Sequence, residues 1–246
     1  MGKKFTLIEL LIVIVIIAIL AGLLLPALMS AKDKSLTVRC ISNMKQLGMY
    51  SESYAGDNDG FAVLNRQDLS DGKVAYWYAF LMPYAKPGYR VEYTQWGTIK
   101  AEPFMQAFLC PKDIQALPAG GTYYPESSPG MGYAIHRDNA SDMQALKLSQ
   151  VTQPSRRVGF GEGTGSNQVS QCRTQTWMTP LLAYIHGSQQ TRKQLRELAG
   201  GNCGADQLTM SLPGITNITF FDGHVSGITH ARFLQNRIVM FSNITK

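Results

Sequence analysis

The residues of this sequence with the most distinctive side-chain chemistry are four cysteines: Cys40, Cys110, Cys172 and Cys203. They form no C-x-x-C pair, so their spacing predicts neither a zinc knuckle nor another metal site. An even number of exported cysteines favours disulfides, because exported proteins mature in an oxidising compartment. Three pairings are open. We favour Cys40 with Cys110 and Cys172 with Cys203, and free thiols remain the alternative in an anaerobic host.

Asp222, His224 and His230 are a second set of candidates, since a carboxylate and two imidazoles can hold a metal or transfer protons. However, Asp222 and Gly223 separate two alternating runs, residues 215–221 and 224–229. Asp-Gly supplies the positive φ angles of a type I′ turn, so the sequence predicts a β-hairpin here. We therefore interpret His224 as a strand residue beside the turn.

The remaining carboxylates and glycines give no catalytic pattern. Three aspartates loosely resemble a calcium-binding loop: Asp57, Asp59 and Asp68. Ala62 stands where that loop needs glycine, so structural calcium is kept only as an alternative, and no other cofactor is predicted. The glycine-rich segment 159–165 lacks the helix that follows a phosphate-binding loop, and we expect it to end a strand that begins at Arg157. Without a Ser-His-Asp, paired-carboxylate or H-E-x-x-H arrangement, the sequence predicts no enzyme.

Aromatic residues are concentrated between positions 76 and 96. Aromatic faces stack on sugar rings, so Trp77 and Trp96 are the candidates for contacting a glycan. Alternating aromatics more often fill the core of a sheet, and we interpret this block as core with a glycan site as the alternative.

The elements that position these residues begin with an apolar run between Phe5 and Ala31, in which Glu9 is the only charged residue. About 20 such residues can cross a bilayer as a helix. A signal peptide has a shorter apolar stretch and an A-x-A cleavage site, so we expect a retained membrane helix. A carboxylate in such a helix is costly unless it is neutralised, and it therefore marks function. Glu9 lies four residues after Phe5, and this position suggests that its partner belongs to another chain.

The helix is expected to continue beyond the apolar run. Apolar positions then recur at three- and four-residue spacing: Leu36, Cys40, Met44, Leu47, Tyr50 and Tyr54. This spacing places one buried stripe on an amphipathic helix. Gly56 and the cluster 57–60 should stop it. The sequence thus predicts one helix of roughly 50 residues whose second half packs on a sheet.

The segment Phe5-Thr6-Leu7-Ile8-Glu9, followed by the apolar helix, resembles the cleavage and methylation motif of type IV pilins and type II secretion pseudopilins. The resemblance implies cleavage by a prepilin peptidase between Lys4 and Phe5 and N-methylation of Phe5. It also implies that Glu9 meets the amino terminus of a neighbouring subunit during assembly. Pro26 lies where pilins carry a helix-disrupting proline. The chain differs from the family at Lys4, where glycine is usual.

Further segments resemble the long pseudopilin-like proteins that carry a DUF1559, or H-X9-DG, domain. They are residues 39–48, 54–58, 108–111, 130–133 and 220–225. The histidine of that domain would fall at Leu212, so no role of that histidine transfers to this chain. The region 177–213 is unmatched, and we interpret it as an insert.

Together these observations predict an α+β fold of the pilin type. A long N-terminal helix, transmembrane and then amphipathic, would pack on an antiparallel β-sheet head. We assign 1–4 to the leader, 5–29 to the transmembrane and assembly helix, 30–56 to the amphipathic helix and 57–246 to the head.

The expected function is that of a structural subunit of a type II secretion pseudopilus or type IV pilus-like filament. The alternative is a membrane-anchored minor pilin or adhesin whose head binds polysaccharide. The expected partners are copies of the chain or related pseudopilins, the prepilin peptidase and the lipid bilayer. The head would lie in the periplasm of a bacterium, anchored in the inner membrane by a single pass, or on a surface filament. The net charge of +6 is scattered, so nucleic acid is not an expected partner.

Overall fold

A computed structural model describes residues 6–64, 66–91, 99–100, 108, 110–113, 122–123, 147–162, 186–187 and 213–241. Its largest element is helix α1, Leu7–Asp57, of 51 residues. Thr6 is the N-cap, and the helix ends at the predicted Asp57-to-Gly60 cluster. The long single helix predicted from sequence is therefore confirmed. It continues through Pro26 as one element, without the interruption that this proline suggested.

The other elements are short. Strands β1 (Arg66–Asp68) and β2 (Val74–Tyr76) form an antiparallel pair that leads into helix α2 (Trp77–Ala85). Strands β3 (Ile99–Lys100) and β4 (Thr122–Tyr123) form a second antiparallel pair. In the described residues, 3-10 turns occupy Pro111–Asp113, Leu148–Gln150 and Pro154–Arg156.

The main sheet has three antiparallel strands in the order β5-β6-β7. They are β5 (Val158–Gly161), β6 (Ile215–Phe220) and β7 (Val225–Thr229), and helix α3 (His230–Phe241) follows. The register of β5 against β6 shifts between Val158 and Phe160. The predicted α+β class is confirmed by the long apolar helix and this small sheet. The strand expected to end in the glycine-rich segment is β5.

The hairpin predicted at Asp222-Gly223 is present between β6 and β7, but its turn is not type I′. Gly223 has a φ of +81° and its N–H donates to the Phe220 carbonyl at 3.0 Å. Asp222 is not among the described non-glycine residues at positive φ, whereas a type I′ turn needs positive φ at both of its central residues. The loop instead places one glycine in the left-handed region after a tight turn.

The core lies between the second half of α1, helix α2 and the β5-β6-β7 sheet. The stripe predicted on α1 supplies Cys40, Met44 and Leu47 as buried residues. The aromatic block contributes a helix to this core, where a strand was expected. Beyond β2 its buried residues follow helical spacing: Trp77, Tyr78, Leu81 and Met82.

Helix α1 lies close to the sheet at Gly48. A Cβ added there would lie 3.3 Å from Thr219 Cγ2 and 3.8 Å from Gly223 Cα. Thr219 is fully buried, and its hydroxyl donates to the Met44 carbonyl at 3.3 Å. Because this side chain is held in place, Gly48 sets the distance between the helix and the hairpin.

We expect Gly48→Val to lower the free energy of unfolding by about 1–3 kcal/mol, because the added side chain overpacks the contact with Thr219. Gly56→Val is the matched control: it lies in the same helix, and a Cβ there meets nothing within 4 Å. Its effect should stay within about 0.5 kcal/mol. Chemical denaturation followed by circular dichroism measures both variants, and equal losses would show that Gly48 is not a close contact.

Candidate functional site

The first half of α1 exposes its apolar side chains. Large hydrophobic residues from Leu7 to Met29 are 47–86% exposed, and none of the most apolar stretch is buried within the chain. By length and composition this is a helix that could cross a membrane. From Leu7 to Met29 it is about 33 Å long, which matches a hydrocarbon core of about 30 Å.

Glu9 has a partner within its own chain. Its Oε2 accepts hydrogen bonds from the Thr6 backbone N–H at 2.8 Å and from the Thr6 hydroxyl at 2.7 Å. Thr6 Oγ1 in turn accepts from the Glu9 N–H at 3.3 Å, which completes a capping box. The sequence suggested only a partner in another chain, and this local contact was missed. Lys4 and Phe5 lie outside the described residues.

A second candidate site is a buried cluster of Cys40, Cys110, Glu162 and His186. Each residue comes from a different part of the fold. Cys40 lies on α1, Cys110 directly precedes the turn Pro111–Asp113, Glu162 directly follows β5, and His186 is joined to the start of β6. All four are buried, and their ligand atoms lie within 4.8 Å of one another. We call this group the Cys-Glu-His cluster.

Contacts within the cluster centre on one carboxylate oxygen. Glu162 Oε1 lies 2.6 Å from Cys40 Sγ and 2.8 Å from His186 Nε2. His186 Nε2 is also 3.5 Å from Cys110 Sγ. Four different side chains therefore direct polar atoms at the same small volume.

Backbone hydrogen bonds fix the positions of Glu162 and His186. The outer oxygen of Glu162, Oε2, accepts from the Asn217 N–H at 2.6 Å. The backbone of His186 exchanges two hydrogen bonds with Ile215, of 3.1 and 2.7 Å. Both residues are thus tied to β6, which makes the sheet the scaffold of the cluster.

The ring of His186 is oriented by Thr37 on α1. The Thr37 hydroxyl donates to the Asp33 carbonyl at 3.0 Å, and Thr37 Oγ1 lies 2.9 Å from His186 Nδ1. Because the hydroxyl proton is used by Asp33, Oγ1 is the acceptor and Nδ1 carries a proton. The other ring nitrogen, Nε2, faces the cluster.

An ion pair on the same side of α1 holds the Cys110 segment. Lys112, two residues after Cys110, pairs with Asp33. Asp33 thus contacts both Lys112 and, through its carbonyl, Thr37. This pair places Cys110 beside the helix that carries Cys40.

The four groups shift one another's protonation. Hydrogen bonding to Cys110, together with burial, raises the pKa of Cys40. Hydrogen bonds from Cys40 and His186 lower the pKa of Cys110 to about 7, against the effect of burial. Burial opposes the charge on Glu162, but the hydrogen bond and charge of His186, together with the hydrogen bonds from Asn217 and Cys40, outweigh burial and lower the pKa of Glu162. Burial likewise opposes protonation of His186, yet its contacts with Cys110 and Glu162 raise its pKa to about 9.

This donor set is chemically that of a metal centre. Two sulfurs, an imidazole nitrogen and a carboxylate oxygen are the ligand types that zinc takes in proteins. The sequence did not point to the cluster because its members are far apart in the chain, 122 residues between Cys40 and Glu162 and 76 between Cys110 and His186. His186 also lies in the region interpreted as an insert. The sequence predicted only the burial of Cys40 on the helix stripe and its pairing with Cys110.

The predicted disulfides have different outcomes. Cys40 and Cys110 meet in the cluster, as the favoured pairing requires, but both are free thiols in the structure. Their pairing therefore stays a prediction. Cys172 and Cys203 lie outside the described residues.

The glycan interpretation of Trp77 is corrected by the structure. Its side chain is 2% exposed and packs against Phe108 and Phe160, with ring centroids 6.1 and 6.2 Å away. Helix α2 turns it into the core, so its faces are covered by protein and cannot stack on a sugar. Trp96 lies outside the described residues.

The remaining candidates do not converge on a site. His224 is half-exposed, pairs with Asp222 at 2.5 Å and stacks on Phe220. It belongs to the predicted hairpin but lies directly before β7, whereas the sequence predicted a position within the strand. His230 is buried at the start of α3. Asp57 accepts a hydrogen bond from the Tyr84 hydroxyl at 2.9 Å, and the side chain of Asp68 lies outside the described part of the chain.

The chain matches no known protein-family model, no curated protein and no solved structure. What is proposed of its function therefore rests on the residues and contacts described above.

We expect Glu162→Gln to lower the free energy of unfolding by about 3–5 kcal/mol in the presence of a chelator, because it removes one partner of a buried charge pair. Asp222→Asn is the matched control, since it breaks the only other carboxylate–histidine pair seen in the described residues. The side chains are 3% and 1% exposed in the Glu162–His186 pair, but 34% and 45% exposed in the Asp222–His224 pair.

The control should cost less than about 1 kcal/mol, as exposed ion pairs do. Urea denaturation of the full chain in detergent, followed by circular dichroism, measures both variants. A loss in Glu162→Gln no larger than in Asp222→Asn would contradict a charged pair in the core.

Proposed function

We propose that this protein is a membrane-anchored structural subunit of a type II secretion pseudopilus or type IV pilus-like filament, assembled through the first half of α1. The observation that carries the proposal is the division of this one helix. Its first half exposes apolar side chains along its length, and its second half is built into the core of the head. A helix of this kind joins an anchor rigidly to a displayed domain.

The exposed half of α1 needs a cover that the described part of the chain does not supply. Burying a large aliphatic side chain contributes about 1.5–3 kcal/mol, so a helix with this many exposed leucines and isoleucines does not stay in water. Lipid can cover it while the subunit is in the membrane. The same half-helices of neighbouring subunits can cover it after assembly.

Glu9 supports assembly through charge. The capping box with Thr6 supplies hydrogen bonds but no positive charge, so it leaves the carboxylate unneutralised. In an apolar bundle a carboxylate and an ammonium group each need the other. The amino terminus released at Phe5 of a neighbouring subunit is such an ammonium, and its pairing with Glu9 would fix the axial position of one subunit against the next.

A filament subunit of this kind has a defined location and defined partners. The subunit would be anchored in the bacterial inner membrane by a single pass, with its head in the periplasm. Its partners would be the lipid bilayer, a prepilin peptidase and copies of itself or related pseudopilins. The adhesin alternative is not adopted, because burial of Trp77 removes one of its two candidate contact residues.

Processing is the first requirement of this proposal. We expect the mature protein to begin at N-methylated Phe5, since Glu9 can meet an amine in the bundle only if the leader is removed. Mass spectrometry of the N-terminal peptide from membranes of a host that expresses a prepilin peptidase measures this. The same host without the peptidase is the control, and an intact start at Met1 or Gly2 in both hosts would remove the basis of the proposal.

The role of the Glu9 charge can be separated from its role as a helix cap. Glu9→Gln keeps a side chain that can complete a capping box but removes the charge, whereas Thr6→Ala removes the cap hydroxyl and keeps the charge. If charge pairing sets the register, Glu9→Gln abolishes incorporation into filaments and Thr6→Ala assembles.

Sedimentation of sheared filaments and immunoblotting measure this incorporation. Circular dichroism should show an intact head in both variants. Filaments of Glu9→Gln at the wild-type level would refute the charge-pairing argument, and loss of assembly only in Thr6→Ala would assign Glu9 to capping alone.

A further inference from the structure

We propose that Cys40, Cys110, Glu162 and His186 bind one Zn²⁺ ion that fastens α1 to the head. The Cys-Glu-His cluster offers four donors of the types that zinc prefers, each from a different part of the fold. Thiolates disfavour Ca²⁺ and Mg²⁺, which take oxygen ligands, and four ligands including two sulfurs and one nitrogen fit tetrahedral zinc.

The distances in the cluster suit a small ion after slight adjustment. Zinc bonds of about 2.0–2.3 Å place neighbouring ligand atoms of a tetrahedron roughly 3.3–3.8 Å apart. The observed separations begin at 2.6 Å between Cys40 Sγ and Glu162 Oε1, and none exceeds 4.8 Å. Rotamer adjustments of about an ångström would bring all four atoms onto one ion.

Outer contacts aim the ligand atoms at the centre. Asn217 N–H holds Oε2 of Glu162, so Oε1 is the oxygen that faces the other ligands. Thr37 accepts from Nδ1 of His186, which leaves Nε2 to give its lone pair to the metal. Such contacts are the usual support of metal ligands in proteins.

Binding exchanges protons for the metal. The two thiols and the Nε2 of His186 lose their protons to solvent, and two thiolates, one carboxylate and Zn²⁺ together carry one negative charge. When Nε2 loses its proton His186 becomes neutral, and the metal replaces it as the positive charge beside the buried acids. No oxidation or reduction is involved.

The site is structural rather than catalytic. Four protein ligands complete a tetrahedron and leave no position for water or a substrate. Cys40 lies about 16 Å along α1 from Met29, so the ion would join the helix to the sheet just beyond the exposed half. A structural metal there would resist separation of the head from its anchor.

The test uses the full chain, purified in detergent without chelator or reductant, and elemental analysis by mass spectrometry. We expect about one zinc per wild-type chain and background levels in Cys110→Ser and His186→Asn. His224→Asn, which changes a histidine on the surface hairpin, is the matched control and should keep its zinc. Zinc retained in His186→Asn, or missing from the wild type, would overturn the proposal.

A ligand variant could lose zinc because it does not fold. Cobalt binding to the wild-type chain therefore tests metal coordination without any substitution. Co²⁺ added to the wild-type chain stripped of metal should give the visible bands of tetrahedral cobalt and thiolate charge-transfer bands, and Zn²⁺ should abolish them. Thr37→Val keeps all four ligands and should weaken zinc affinity by about 10–100-fold in competition with a chromophoric chelator. Absence of the cobalt bands contradicts the site, and an unchanged affinity contradicts the role of Thr37.

The competing outcome is the predicted disulfide. Alkylation of the purified chain before reduction, followed by peptide mass spectrometry, distinguishes two thiols from a Cys40–Cys110 disulfide. Two alkylated cysteines in a zinc-containing protein support the metal site. A disulfide-linked peptide of Cys40 and Cys110 as the main species overturns it.

Discussion

The packing of the second half of α1 against the β5-β6-β7 sheet is the contact on which the rest of the structure depends. Cys40, Met44 and Leu47 enter the core from the helix, and Ile218 and Phe220 enter it from the central strand. Gly48 lets the helix approach the hairpin closely, and the Thr219 hydroxyl bonds to the helix backbone at Met44. From this contact the same uninterrupted helix continues into the exposed apolar half.

The Cys-Glu-His cluster exists only because of that packing. Glu162 follows β5 and is held by Asn217 of β6, whereas Cys40 stands on the face of α1 that meets the sheet. If the helix were shifted by one turn, Cys40 would move by about 5.4 Å and leave the carboxylate without this partner. The proposed zinc ion would therefore lock the contact that creates its site.

The charges of Glu9 and Glu162 are compensated in different ways. At the start, Glu9 is hydrogen-bonded through Thr6 but has no described counter-charge, which suits a group that is completed by a neighbouring chain. In the head, Glu162 is matched by His186 within the fold. The difference has a physical reason, since a buried charge must be compensated before the head is stable, whereas in the proposed filament subunit Glu9 would be compensated only on assembly.

The sequence alone determined the elements governed by local pattern. The length of α1, its buried stripe and its end near Asp57 followed from apolar spacing and from the Asp-Asn-Asp-Gly cluster. The hairpin around Gly223 followed from Asp-Gly between alternating runs, although the turn type did not, because it depends on the φ angle of Asp222. The aromatic block was assigned to the core correctly but to the wrong element. In α2, neighbouring aromatics pack at helical spacing, which short apolar runs do not reveal.

Only the tertiary structure shows that the residues of the Cys-Glu-His cluster lie together. Its members come from helix α1, the residue before the turn Pro111–Asp113, the residue after β5 and a residue bridged to β6, and no spacing rule connects residues that meet only through folding. The sequence named two of the four, Cys40 and Cys110, as partners of each other, and it passed over Glu162 and His186. Local pattern predicts a helix because its hydrogen bonds join residues four apart, and it predicts a hairpin because the two strands are neighbours in sequence. A buried polar site depends on long-range contacts, and these form only when the helix and the sheet have packed together.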